Sequence, residues 1–268
     1  MEHKTSGFSL NHTLTSGQFF RFQKVDNWYY CQERDKCFKV CQQGNKLFFE
    51  GTDKAHITRL FGLSKQQEKA IETLAQDPTL LPLLKQYSGL RVMQRDPWET
   101  LVSFQCSIIS NIPKIKKNVE LLAQTFGKQV EFEGQRYAFP EPGEIDDLEK
   151  IKSCATGFRA RYIHAANSMV TDSFFEKLKE EQYETAHGKL MEIPGVAEKV
   201  ADCICLFSLG KTEAFPVDVW IERALRELYF NGKKVKHDEI REFAKKRWGK
   251  NAGYAQQFLY HWVRNRGL

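Results

Sequence analysis

Apolar and polar positions alternate in short bursts over residues 8–50. The runs FFRF (19–22), NWYYCQ (27–32), CFKVCQ (37–42) and KLFFEG (46–51) are rich in aromatic and β-branched side chains, and Asp26-Asn27, Arg34-Asp35-Lys36 and Gly44-Asn45 supply turns between them. That pattern predicts an antiparallel sheet. From about residue 64 the period lengthens to that of a helix. SKQQEKAIETLAQ opens on Ser64, a good N-cap residue, and DPTLLPLLKQYSGL follows it. DPWETLVSFQCSIISNI (96–112) opens on Asp96-Pro97, a cap and first-turn pair, and carries Leu101, Val102, Phe104 and Ile108 at near-helical spacing. KIKKNVELLAQTFG (114–127) is amphipathic and stops at Gly127. EFEGQRYAFPEPGEIDDLEK (131–150), acidic and interrupted by Pro140 and Pro142, reads as an exposed connection between two helical parts. The expected class is α+β: an N-terminal antiparallel β-sheet with flanking helices over residues 1–95, then an all-helical part over residues 96–268.

Composition narrows the function classes. With 268 residues, 41% hydrophobic and 28% charged, the chain can bury a sizeable core, which excludes a disordered or collagen-like protein. No stretch approaches about 18 consecutive apolar residues, and MEHKTSGFSL lacks an apolar leader segment, so no membrane partner and a cytoplasmic location are expected, on the nucleoid if the source is bacterial. Seven cysteines, an odd number with several inside apolar runs, favour reduced thiols over a disulfide framework. The net charge of +6 is concentrated in residues 231–268, where ten Lys and Arg stand against three acidic residues. Such a segment fits a nucleic-acid footprint, and also a solvated helix face.

The chemistry gathers in LMEIPGVAEKVADCICLFSLGKTEAFPVDV (190–219). A helix ends near Met191, Ile193-Pro194-Gly195-Val196 turns the chain, and a second helix begins at Ala197-Glu198-Lys199, a helix-hairpin-helix over residues 191–199. A tight turn of this kind leaves backbone N–H groups free at a helix N-terminus, where they hold a phosphate without sequence preference. Taken alone, the Pro-Gly-Val turn also fits a plain helix–helix corner. Lys199 lies in the first turn of the second helix, with Cys203 four residues on, beside an apolar stripe of Val196, Val200, Ile204 and Phe207. A lysine flanking such a stripe ordinarily snorkels to water. Here the positive end of the helix dipole and partial desolvation predict a neutral amine, the form a Schiff-base nucleophile requires. Asp218, in the apolar setting Phe215-Pro216-Val217-Asp218-Val219, precedes another helical run and is an N-cap candidate; capping and catalysis can coexist there.

Taken together, the run from Pro194 through Leu206 and the Pro216–Val219 segment closely resemble the 8-oxoguanine DNA glycosylase/AP lyase branch of the helix-hairpin-helix glycosylases. Ser16-Gly17-Gln18-Phe19-Phe20-Arg21-Phe22, Asp96-Pro97 with Ser103-Phe104 and Cys106-Ser107, Gly157-Phe158-Arg159-Ala160-Arg161-Tyr162, and Gly253-Tyr254-Ala255-Gln256 with Tyr260 extend the resemblance, in order, along nearly the whole chain. It implies an enzyme with two helical subdomains flanking its active site, which flips a damaged base out of duplex DNA, cleaves the glycosidic bond and nicks the strand by β-elimination. It implies that the Lys199 amine attacks the sugar C1′ and that Asp218 stabilises positive charge on the sugar and orients or deprotonates the amine. Gly17 corresponds to the residue whose carbonyl reads the N7 hydrogen that distinguishes the lesion from guanine. Gln256 corresponds to the reader of the Watson–Crick edge, Tyr260 and Cys203 to the two stacking faces, and Pro216 to a further residue at the base site. Phe158 corresponds to the wedge that buckles the duplex and Arg159 to a contact with the base left behind. Gly195, Ala197, Val219 and Trp220 correspond to DNA-contacting positions of the hairpin and of the helix after Asp218.

The chain departs from the family pattern at several of these positions. Where the family commonly has three asparagines and then an arginine, this chain has Ile109-Ser110-Asn111 and Lys114. Ile109 can fill the space left by the flipped base without hydrogen-bonding there, and Lys114 lacks the guanidinium fork that reads the opposite cytosine. Trp220 replaces a histidine, and Ala197 stands in place of a second hairpin glycine, an exchange expected to be tolerated because the position is already helical. No metal or cofactor is expected: the last cysteine is Cys205, so a C-terminal iron–sulfur cluster is missing, and Cys31, Cys37 and Cys41 lie on expected strands without a paired knuckle. The hairpin carbonyls are the one place where the resemblance allows a monovalent cation. The expected partner is double-stranded DNA containing 8-oxoguanine, engaged by a monomer. Two alternatives stay open: a monofunctional alkylpurine glycosylase, which would keep Asp218 without needing Lys199 or Gly17, and a non-catalytic helix-hairpin-helix DNA-binding module, which needs none of them.

Overall fold

The computed structural model describes residues 1–266. β1 (Glu2–Lys4) is followed by α1 (Leu10–Thr15), and then by β2 (Phe22–Val25), β3 (Trp28–Glu33), β4 (Lys36–Gln43) and β5 (Lys46–Glu50). These form one antiparallel sheet in the order β1-β5-β4-β3-β2. β1 escapes a pattern search because its three residues are all polar, as suits a short edge strand. FFRF is largely not a strand. Gly17 (φ +79) turns the chain just before it, and Phe19 and Phe20 then plug into two different apolar clusters. The sheet cluster packs Tyr29, Phe38, Val40, Leu47 and Phe49 under α1 and under α2 (Lys54–Leu60).

Everything else joins one larger helical cluster. α3 (Lys65–Leu74) and α4 (Leu81–Gln86) belong to it through Ala70, Leu74, Leu83 and Leu84. Ser64 caps α3 by accepting from the Gln67 N–H, and Asp96 caps α5 (Pro97–Cys106) by accepting from the Glu99 N–H. α5 stops six residues short of the apolar run that announced it. Ile109 sits in the left-handed region at φ +48, costly for a β-branched residue, and α6 (Ile112–Phe126) starts afresh on an Asn111 cap. Residues 131–150 are not the exposed connection expected. β6 (Gln129–Glu131) and β7 (Gln135–Tyr137) pair as a hairpin, and Phe139 and Ile145 beyond it are buried in the helical core. Then come α7 (Leu148–Ile151), α8 (Ala160–Met169), α9 (Asp172–Glu180), α10 (Tyr183–Met191), α11 (Glu198–Ser208), α12 (Val219–Leu228), α13 (His237–Trp248) and α14 (Ala252–Asn265). No described helix is long and apolar enough to cross a membrane.

The α5–α11 pair positions the site. The Arg95 N–H, just before α5, donates to the Phe207 carbonyl near the end of α11 (2.7 Å). At the other end, Gln105 Nε2 donates to the Pro194 carbonyl ahead of α11 (2.9 Å). The two helices are therefore antiparallel, and the C-terminus of α5 lies beside the N-terminus of α11. Buried polar groups fix the start of α5 to the sheet: Glu33 accepts from the Asp96 N–H (2.8 Å) and pairs with His56 (2.7 Å), while Glu99 accepts from the Arg34 N–H (2.8 Å).

Candidate active site

Seven of the side chains singled out by sequence converge on one pocket: Gly17, Lys199, Cys203, Pro216, Asp218, Gln256 and Tyr260 line it together with Phe104, Phe207 and Gln257. Five separate chain regions meet there. α11 presents Lys199, Cys203 and Phe207 at spacings of four, one face of a helix, and α14 presents Gln256 and Tyr260 in the same way. The pocket holds about 30 Å³, the share of one water molecule in the liquid. That is far too little for a purine, which enters only if the walls part. A larger cleft of about 760 Å³ lies at the opposite end of α5, but in its walls Arg34 pairs with all three of Asp96, Glu141 and Asp172. That cleft is a structural ion network.

Two glycines are required by geometry. Gly17 has φ +79, and a Cβ there would lie 2.8 Å from Tyr260 Cε1. Gly195, also φ +79, would place a Cβ 2.5 Å from the Tyr162 ring. Gln256 is buried; its Nε2 donates to the Pro216 carbonyl (3.2 Å) and its Oε1 has no partner. A buried carbonyl oxygen left without a donor is costly, and this one borders the pocket. It suits a ligand that offers N–H groups.

Lys199 is partly buried, with its Nζ donating to Ser107 Oγ (3.2 Å) and lying 5.0 Å from the Phe104 ring centre. Burial pulls its ammonium down, but the acidic groups of Cys203, Asp218 and Tyr260 outweigh burial and hold its pKa above the ordinary value. That direction runs against the neutral amine expected from the sequence. That expectation weighed partial desolvation and the dipole of the lysine's own helix, whereas the tip of the side chain also reaches Ser107 at the C-terminal, negative end of α5. Burial also pushes the Cys203 thiol up to about 12, so it packs as a neutral wall of the pocket. Asp218 is the N-cap of α12, with Oδ1 accepting from the N–H groups of Trp220 and Ile221 (3.0 Å each). Its Oδ2 accepts no hydrogen bond from the described residues and remains free for other work.

The remaining candidates lie outside the pocket on a connected surface. In the hairpin, the N–H groups of Gly195 and Ala197 have no acceptor among the described residues, as a phosphate site needs. Ala197 is not helical as expected; it is the extended N-cap of α11 at φ −92, a conformation any residue adopts, so alanine serves there as well as glycine. Phe158 and Ile109 project, 45% and 87% exposed, far more than their apolar side chains favour without a partner. Val219 projects likewise, while Trp220 is half-buried under Arg223. Lys114 is exposed in the first turn of α6, where Asn111 is occupied as the cap.

Arg159 departs from expectation. It is buried, and its guanidinium donates to the carbonyls of Ile108 (2.7 Å from Nε), Ile109 (2.6 Å) and Thr156 (3.2 Å), bracing the loop that presents Ile109. Half of the cations in the basic C-terminal segment are also paired within the protein. Arg247 pairs with Asp77 (2.6 Å), Lys245 with Glu184, Lys246 with Glu242, and Arg241 and Arg266 with further carboxylates. Phe104, Phe207, Gln257 and Ser107 were missed by the sequence reading. Helical spacing already placed Phe207 on the lysine's face, but nothing local pointed Ser107 at Lys199.

Residues 1–101 match the family model described as the N-terminal domain of 8-oxoguanine DNA glycosylase. A probable N-glycosylase/DNA lyase of Methanothermobacter thermautotrophicus is 30% identical over 220 residues, covering 73% of this chain and 70% of that protein. The solved structure of MBOgg1 in complex with a low-affinity DNA ligand superposes with a TM-score of 0.94 at 35% identity, covering 100% of this chain and 96% of the other. The Clostridium acetobutylicum 8-oxoguanine glycosylase/lyase, solved with double-stranded DNA containing cytosine opposite 8-oxoguanine, gives a TM-score of 0.92 at 28% identity, covering 100% and 99%.

Proposed function

The chain belongs to the 8-oxoguanine DNA glycosylase/lyase family, and from that premise we propose that it excises 8-oxoguanine from double-stranded DNA and then nicks the strand through a Schiff base on Lys199. One observation carries this reading: a partly buried amine, a carboxylate oxygen without a partner and an unsatisfied amide oxygen share one pocket. The Gln256 Oε1 asks for N–H donors, and the Watson–Crick edge of a guanine-derived base offers two neighbouring ones, N1–H and N2–H, where that of an alkylated adenine offers only its amino group. Lys199, partly buried beside Asp218, has no function in a monofunctional glycosylase or in a binding module.

In the proposed sequence, Lys199 first gives up a proton. Its lone pair then bonds to C1′ as the electron pair of the glycosidic bond leaves with the base, which takes up a proton. The amine loses a second proton, the sugar ring opens and an imine forms. Loss of a C2′ proton then expels the 3′ phosphate. Asp218 Oδ2 stabilises the positive charge that develops on the sugar. Gly17 offers its carbonyl to the lesion's N7–H, Cys203 and Tyr260 part to stack on its faces, and Phe158 and Ile109 fill the stack it vacates. A monomer suffices, because one duplex presents one extruded base.

Opposite-base preference is expected to be weak. Lys114 has no fork, Ile109 has no hydrogen-bonding group, and Arg159 is committed to backbone carbonyls. A bidentate base contact contributes about 1–3 kcal/mol of discrimination; without one, nicking of 8-oxoguanine opposite each of the four bases should vary by less than about tenfold. Single-turnover nicking of those four duplexes tests the function and the preference together. Nicking of none would overturn the activity, and a larger advantage for cytosine would overturn the preference.

Gly17→Ala should slow excision by about tenfold or more. A Cβ forces Tyr260 away, and a left-handed alanine costs about 1–2 kcal/mol, so the carbonyl leaves its place. Unchanged single-turnover excision by a folded Gly17→Ala protein would remove Gly17 from the base site.

A further inference from the structure

Ser107 is the C-cap of α5, and its hydroxyl is doubly engaged. Its Oγ donates to the Phe104 carbonyl at 2.6 Å, a short bond that commits the hydroxyl proton. The same oxygen accepts from Lys199 Nζ at 3.2 Å. With its proton committed, Ser107 offers nothing to the lone pair of a neutral amine and can only accept. An acceptor bonds an ammonium about twice as strongly as a neutral N–H donor. The C-terminal end of α5, with its partial negative charge, adds to the same preference.

The other groups facing Lys199 do not reverse this. Cys203 on α11 is a neutral thiol, Asp218 at the start of α12 is anionic, and Tyr260 on α14 is a neutral phenol lying beside Arg264. Asp202, also on α11, is held by Tyr183 (2.6 Å) and Arg241.

We propose that Ser107 is a positioning residue that holds Lys199 as an ammonium ion in the free enzyme, storing the nucleophile in an unreactive, oriented form. This rests on Lys199 being the Schiff-base nucleophile. The small pocket fits such storage, since Lys199 lines it while its amine is bonded to Ser107 outside the lining, and it has no room for a base. Opening the pocket for a base then separates Nζ from the hydroxyl, and Asp218 is the anionic group present to receive the proton.

The test is the pH profile of borohydride trapping on a duplex with a single abasic site, which removes base recognition from the measurement. In Ser107→Ala the pH of half-maximal trapping should fall by about one unit, a roughly tenfold gain in free amine below the midpoint. Ser107→Thr, which keeps the hydroxyl, should track the wild type. A midpoint in Ser107→Ala equal to that of the wild type overturns the proposal. So does an equal loss of amplitude in both variants without a shift, since that marks a purely structural residue. Should Ser107→Ala not fold, Ser107→Cys supplies a weaker acceptor; a downward shift supports the proposal and no shift overturns it. If the wild type itself does not trap, it is the assignment of Lys199 as nucleophile that fails.

Discussion

Lys199→Gln is expected to abolish borohydride trapping and to lower strand nicking on an 8-oxoguanine duplex by a factor on the order of 10³ or more, as loss of a covalent nucleophile does. DNA binding should persist. The backbone N–H groups of Gly195 and Ala197, the projecting Phe158 and Ile109, and Lys114 lie outside the pocket, and none depends on the amine. The fold should also persist. Glutamine is one atom shorter but still carries an N–H donor, and it removes a partly buried charge of the kind that active sites maintain at a cost in stability. The melting temperature of Lys199→Gln should therefore equal or exceed that of the wild type. A protein that binds the duplex, melts normally and still traps would place the nucleophile elsewhere.

Asp218→Asn should separate the two functions of one side chain. Capping uses Oδ1, which an asparagine carbonyl replaces, and Asn and Asp are close to equivalent as N-caps. Stability should change by less than about 0.5 kcal/mol. Catalysis uses the charge on Oδ2. Losing one electrostatic group aimed at a developing charge costs about 10²–10³ in rate, and single-turnover excision should fall by that factor. Asp218→Ala removes the cap as well and should cost about 1 kcal/mol of stability in addition. If Asp218→Asn keeps wild-type excision, Asp218 is only a helix cap.

Helix beginnings were the most legible part of the sequence, because Ser64, Asp96 and Asp218 act through a local bond that composition reveals. Endings were harder. α5 stops at Cys106 although the apolar run continues, since the break depends on Ile109 adopting a left-handed backbone that Arg159 braces from another segment. The hairpin at 129–137 went unseen because strands of three residues offer no period to detect. Pocket membership was legible through motifs, but electrostatics was not. The sequence places Lys199 at the positive end of its own helix, while the negative end of α5 and the Ser107 hydroxyl come from 92 residues away. Similarly, the +7 excess of the C-terminal segment gives no sign that half of its cations find carboxylates on the α3–α4 connection, on α10, α11 and α12 or on their own helix.

The central claim is that one partly buried lysine couples excision of an oxidised guanine to strand scission. Borohydride trapping of the wild-type protein on duplexes that differ only in carrying 8-oxoguanine or guanine tests it most directly. A covalent protein–DNA adduct and a nick with 8-oxoguanine, and neither with guanine, is the predicted result. A protein that binds both duplexes but neither nicks nor traps would contradict it.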